Sequence, residues 1–265
     1  MPAHSILPLP RPVRTPEDAA DSASGSGFST GCTALDAHLP GGRLELGALH
    51  EIQGASYRDR AAALGVMLAL IARRLHTKPG PVIWCEMAGQ DPLPLHAPGL
   101  VGAGIDPAII TRLKLRHERD FLWAMEEAFD CSAVAIVAGT LQSERLYDFT
   151  ASRRLALRAR KSGVSGFLLR PHGAAGTSAA ATRWQVASRP SPDTHPSYVS
   201  YAGLRQPLGP PRWQLDISRS RGAKPGTVNA IWNHAALSFD LDSRLVDQSA
   251  LPADQPADAE WRSVI

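Results

Sequence analysis

The strongest constraint on this chain is an alternation of short apolar runs with longer amphipathic stretches, which gives way near residue 180 to apolar runs divided by turns. Residues 81–86 and 131–138 have the length and apolar content of buried strands, and 48–52, 109–115 and 165–169 read as further strands. Residues 61–75, 120–129 and 145–161 carry helical spacing between them. Arg73 and Arg74 fall in the last turn of the first helix, where the helix dipole favours cations, and Asp120 is expected to cap the second. Residues 182–188, 212–219 and 228–233 read as strands, and Arg221-Gly222-Ala223-Lys224-Pro225-Gly226 is a hairpin turn signal between the last two. The pattern predicts an α/β fold: a mostly parallel sheet flanked by helices and extended by C-terminal antiparallel strands.

Composition sets the boundaries. Residues 1–27 are rich in Pro, Ser, Ala and Gly, and from about residue 242 the chain is again polar and Pro-containing. Neither segment has the apolar surface to build a core, so a folded domain is expected over 28–241 between two flexible tails. Arg11 and Arg14 are followed by no apolar run, and no stretch approaches the roughly 20 apolar residues of a membrane span, so a cytoplasmic protein is expected. The three cysteines, Cys32, Cys85 and Cys131, are widely spaced and form no C-x-x-C pair, which suggests neither a metal site nor a disulfide framework.

In a parallel sheet, ligands gather at the carboxyl ends of the strands, so the first strand–loop–helix unit is the place to look for chemistry. A phosphate cradle there reads G-x-x-x-x-G-K-[ST]: glycines turn backbone N–H groups inward, the lysine neutralises phosphate and the hydroxyl binds magnesium. The frame in this chain is Gly54-Ala55-Ser56-Tyr57-Arg58-Asp59-Arg60-Ala61. Asp59 stands at the second glycine, where its charge would repel a phosphate 4 Å away by about 4 kcal/mol at an effective dielectric near 20. Arg60 keeps the lysine's charge on a longer, planar group, and Ala61 has no oxygen for a metal. Glu86 ends the second strand, where a catalytic carboxylate would sit, but a base with no held phosphate has nothing to act on. After Val137 come Ala138, Gly139 and Thr140, with no acid to hold magnesium. The loop is thus expected to be a degenerate phosphate loop, with no catalytic residue, no metal and no cofactor.

Three surfaces are candidates for binding. Arg154, Arg158 and Lys161 share one helix face, and Arg219, Arg221 and Lys224 cluster at the hairpin; either set suits DNA phosphates or a partner. Trp261, Val264 and Ile265 form an apolar group in the C-terminal tail that suits docking into a groove. The loop 172–180 has no Phe, Tyr, Trp, Lys or Arg and reads as a flexible connector or one ordered by a partner. Trp123, Trp184, Trp213 and Trp232 fall in regular elements and are expected in the core.

Phe28-Ser29-Thr30-Gly31, Leu35-Asp36, Gly41-Gly42, Gly47 and Glu51-Ile52-Gln53-Gly54, followed by Glu86 and Asp91-Pro92, resemble the approach to the RecA phosphate loop and its second strand. Leu122-Trp123-Ala124-Met125-Glu126-Glu127-Ala128, Ala181-Thr182-Arg183-Trp184-Gln185-Val186 with Pro190-Ser191, and Arg219-Ser220-Arg221-Gly222 with Pro225-Gly226 and Trp232 resemble the ImuA family more closely. That family is RecA-related, and is similar in fold to the division inhibitor SulA. The resemblance implies a RecA-like domain and a role in SOS mutagenesis beside ImuB, a catalytically dead polymerase relative, and an error-prone replicative-type polymerase, and the loop losses above make that role a non-catalytic one. RecA is a further partner it implies, with any DNA contact direct or indirect. Two other readings stay open: an active RecA-like, DNA-stimulated ATPase, and a SulA-like inhibitor of division.

Overall fold

The computed structural model describes residues 27–89, 94–174, 176–191 and 209–242. The remaining residues, which include Trp261, Val264, Ile265 and the expected tails except Gly27 and Asp242, lie outside the described ones. A small antiparallel pair, β1 (Gly27–Phe28) and β2 (Leu44–Glu45), brackets a short helix α1 (Thr33–Asp36). Then come β3 (Leu49–Gly54), α2 (Arg60–Thr77), β4 (Val82–Met87), α3 (Ala97–Gly102), β5 (Ile110–Leu115), α4 (Glu118–Phe129), β6 (Ile136–Thr140), α5 (Phe149–Ser162) and β7 (Ser165–Arg170). The last strands are β8 (Thr182–Ser188), β9 (Arg212–Ser220), β10 (Gly226–Asn233) and β11 (Ser238–Leu241).

Nine strands form one sheet in the order β11-β10-β9-β8-β3-β7-β6-β4-β5. From β8 to β5 every neighbouring pair is parallel; β8, β9, β10 and β11 pair antiparallel. This is the expected α/β class, a mostly parallel sheet flanked by helices with antiparallel strands near the C-terminus. Two apolar cores lie on its two faces. One packs α2 and the N-terminal segment over Ile52, Trp84, Phe167, Trp184, Trp213 and Trp232. The other packs α4 and α5 over Leu49, Val137 and Leu168. Over β8–β10 the α4/α5 side carries polar residues, among them Gln185, Asp216 and Thr227 in register, so the antiparallel half has one wet face.

Several boundaries differ from the expectation for local reasons. The apolar run at 131–138 enters the sheet only at Ile136. Before it, Val134 N–H bonds to the Cys131 carbonyl in a turn, and Ala135 N–H bonds to that of Pro81. α4 begins at Glu118 with His117 at its cap, so Asp120 lies within the first turn and caps nothing, though both acids there suit the helix dipole. α5 starts at Phe149, where the Asp148 carboxylate accepts the Ala151 N–H at 2.7 Å, and ends at Gly163, whose φ of 77° only glycine adopts at low cost. Trp184, Trp213 and Trp232 are buried as expected, but Trp123 is 62% exposed. Its neighbours Leu122, Ala124 and Met125 take the buried face of α4 and turn the indole outward.

Candidate functional site

The loop between β3 and α2 closes on itself tightly. Ala55 N–H bonds to the Val186 carbonyl at 2.8 Å. A Cβ at Gly54 would lie 2.8 Å from the Ser56 carbonyl oxygen and 2.9 Å from the Asp59 carbonyl carbon, so only glycine fits this close approach. Ser56 and Asp59 form a capping box around the short 3-10 turn Tyr57–Asp59.

Asp59 fills the loop with its own anion. Its Oδ2 accepts the Ser56 N–H at 3.1 Å and the Ser56 hydroxyl at 2.6 Å. Its Oδ1 accepts the N–H and the hydroxyl of Ser188, at the end of β8, both at 2.8 Å. Burial favours the neutral acid, but the hydrogen bonds from Ser56 and Ser188 outweigh it and hold the carboxyl below its usual range. The Ser56 and Ser188 donors are thus engaged by a side chain of the loop itself. The Arg60 guanidinium places both terminal nitrogens 3.4 Å from the Leu141 carbonyl oxygen just past β6. Ala61 is exposed at the start of α2.

Glu86 is buried in β4 and held from the edge strand. Arg112 Nη2 donates to both its carboxylate oxygens, at 2.7 and 3.0 Å, and Lys114 lies 4.0 Å away. Sequence reasoning missed a second ionic group on the same side of the sheet as α4 and α5. Glu51, fully buried in β3, accepts from Tyr147 Oη at 2.5 Å, Arg170 Nη1 at 2.6 Å and Arg183 Nε at 3.1 Å. Arg170 also binds Glu144, and Arg183 reaches the Gly176 carbonyl and the Ser178 hydroxyl. Two carboxylates thus face two guanidiniums, a charge-balanced set that burial tolerates. Burial and the adjacent Glu51 push the Tyr147 phenol well above its ordinary range. The available signal was a glutamate and an arginine, each within a predicted central strand.

The candidate basic faces are largely engaged within the protein. Arg154 binds Glu126 at 2.9 Å, and Arg158 binds Asp130 and the Glu126 carbonyl, tying α5 to α4. Lys161 is exposed. At the hairpin, Arg219 donates to the Ser178 carbonyl at 2.7 Å and Arg221 to Glu45 at 2.9 Å, while exposed Lys224 offers its carbonyl to His38. The structure does not bring the two sets together. Arg221 instead lines a cavity with Arg153 and Arg160 of α5, which sequence reasoning had not singled out as a site. The 172–180 connector is anchored rather than free along its second half: Ala179 N–H bonds to Ser152 Oγ, and Ser178 and Ala180 are buried. Among the described residues no helix is long and apolar enough to cross a membrane.

Comparison with known proteins settles the family. Protein ImuA of Caulobacter vibrioides, strain NA1000 / CB15N, is 33% identical over 246 residues, which cover 86% of this chain and 93% of the relative. The chain belongs to the ImuA family. Protein ImuA of a second strain, ATCC 19089 / CIP 103742 / CB 15, matches with the same identity and coverage. No established family profile matches the chain.

Proposed function

We propose that this ImuA-family chain is a non-catalytic accessory protein of damage-induced mutagenesis, working on a RecA-like domain by binding partners and not by turning over nucleotide. The observation that carries the reading is the Asp59 carboxylate, which takes hydrogen bonds from Ser56 and Ser188 inside the loop where a phosphate would lie. Arg60 turned toward Leu141 and the lack of an acid at the end of β6 point the same way. Its partner in the cassette is an ImuB-type polymerase relative, with an error-prone replicative-type polymerase and RecA as further partners and any DNA contact made chiefly through them. The site of action is the cytoplasm, beside a stalled replication fork.

The test is phosphate release by the purified chain, with and without single-stranded DNA, alongside co-purification with the ImuB-type protein. Release at background level and a complex that forms equally with and without ATP support the reading. Release well above background that disappears in Arg60→Ala overturns it in favour of an altered but working ATPase.

A further inference from the structure

Helix α5 carries two kinds of arginine. Arg154 and Arg158 are held by acids of α4. Arg153 and Arg160 have no acidic partner among the described residues. They lie on the other flank of α5 with Phe149, Ala156 and Leu157, a helical spacing that makes one continuous stripe. Phe149 is 48% exposed and Leu157 56%, so the stripe is apolar as well as basic. It borders a cavity of about 200 Å³ whose other walls include Leu49, Ala179, Ala181 and Arg221. This cavity lies at the amino-terminal ends of β3 and β8, away from the loop after Gly54. Beyond it the wet face of β8–β10 carries no helix among the described residues.

We propose that this groove is the docking site of the chain's own residues 254–265. Three features select that occupant. The segment holds Asp254, Asp258 and Glu260 against a single basic residue, Arg262, which complements Arg153 and Arg160. It also holds Trp261, Val264 and Ile265, which match the apolar stripe and a cavity with room for a bulky side chain. A helix over this segment would put Ala257, Trp261 and Ile265 on one side. Reach is sufficient. The described chain leaves β11 four strands from β3, about 19 Å at ordinary strand spacing. Residues 243–253 span about 35 Å when extended. Exposed apolar side chains between the arginines favour such a segment over a nucleic-acid backbone, whose phosphates gain nothing from Phe149 and Leu157. This docking stands independently of the partner reading above, since it needs only the one chain.

The experiment places the photo-crosslinker p-benzoylphenylalanine at position 157 of the full chain. Products are separated by size after irradiation and mapped by mass spectrometry. Crosslinks from 157 to residues 254–265 within the monomer are expected, with yield falling several-fold in R153E/R160E and in W261S. Circular dichroism of each variant checks that the fold is intact. Crosslinks to 254–265 only between copies overturn docking within one chain and point to exchange between protomers. No crosslink to 254–265, or a yield unchanged in both variants, overturns the proposal outright, and bound oligonucleotide at position 157 would assign the groove to nucleic acid instead.

Discussion

Asp59 makes the sharpest case at the scale of single residues. Asp59→Ala removes the acceptor of four hydrogen bonds and leaves the Ser56 and Ser188 donors without it, so a loss of about 1–3 kcal/mol is expected in urea unfolding. No nucleotide hydrolysis should appear in that variant, because Arg60 and Ala61 still lack the lysine ammonium and the metal-binding hydroxyl. His50 sets a pH dependence. It is fully buried: its Nε2–H donates to the Glu45 carbonyl at 2.9 Å and its Nδ1 faces the Thr182 hydroxyl at 2.8 Å. Burial lowers its pKa to about 4. The unfolded chain therefore takes up this proton first. Stability is full above pH 6.5 and is lost as pH falls toward 4, by about 3 kcal/mol in all. His50→Gln should flatten the part of the stability–pH curve between those values. The place of Gly54, Asp59, Arg60 and Ala61 between the first strand and the first long helix was legible in the sequence. Where Asp59 puts its charge was not legible, since Ser188 lies 129 residues away and meets it only through the β3–β8 pairing.

Elements were readable where a local signal and the tertiary packing agree. α5 is one such case at its end, where Gly163 stops it, though the reading at 145–161 began ahead of the Asp148 cap. Asp148→Ala should cost about 1 kcal/mol through the lost cap. The start of β6 was misread because apolar content alone does not say which residues find a strand partner, and Val134 turns back to Cys131 instead. Trp123 was misread for a related reason: α4 has enough other apolar residues to cover the sheet, and their phase leaves position 123 outside. A paired measurement separates the tryptophans. Trp123→Ser should change stability by less than about 0.5 kcal/mol as a surface substitution. Trp184→Ala, at the centre of the α2-side core, should cost about 3–5 kcal/mol.

At the scale of the molecule, the run of strand–helix units followed by turn-divided strands announced the α/β class and the antiparallel extension. The strand order was not announced, because it depends on which edges meet over long separations. The ionic group around Glu51 is a product of that order, since β7 and β8 bring Arg170 and Arg183 to the two sides of β3. Arg170→Met leaves buried Glu51 and half-buried Glu144 with less opposing charge and should destabilise by about 3–5 kcal/mol.

The same strand order bears on biosynthesis. β3 leaves the ribosome early, yet both of its hydrogen-bonding neighbours, β7 and β8, are translated more than a hundred residues later. Until residue 170 emerges both edges of β3 are open, and until residue 188 one still is, so the strand must wait without aggregating. A nascent chain halted between α5 and β8 should therefore precipitate or recruit chaperones, whereas one halted after β11 should stay dispersed. Ribosome-bound fragments of graded length, scored by sedimentation, would locate that change.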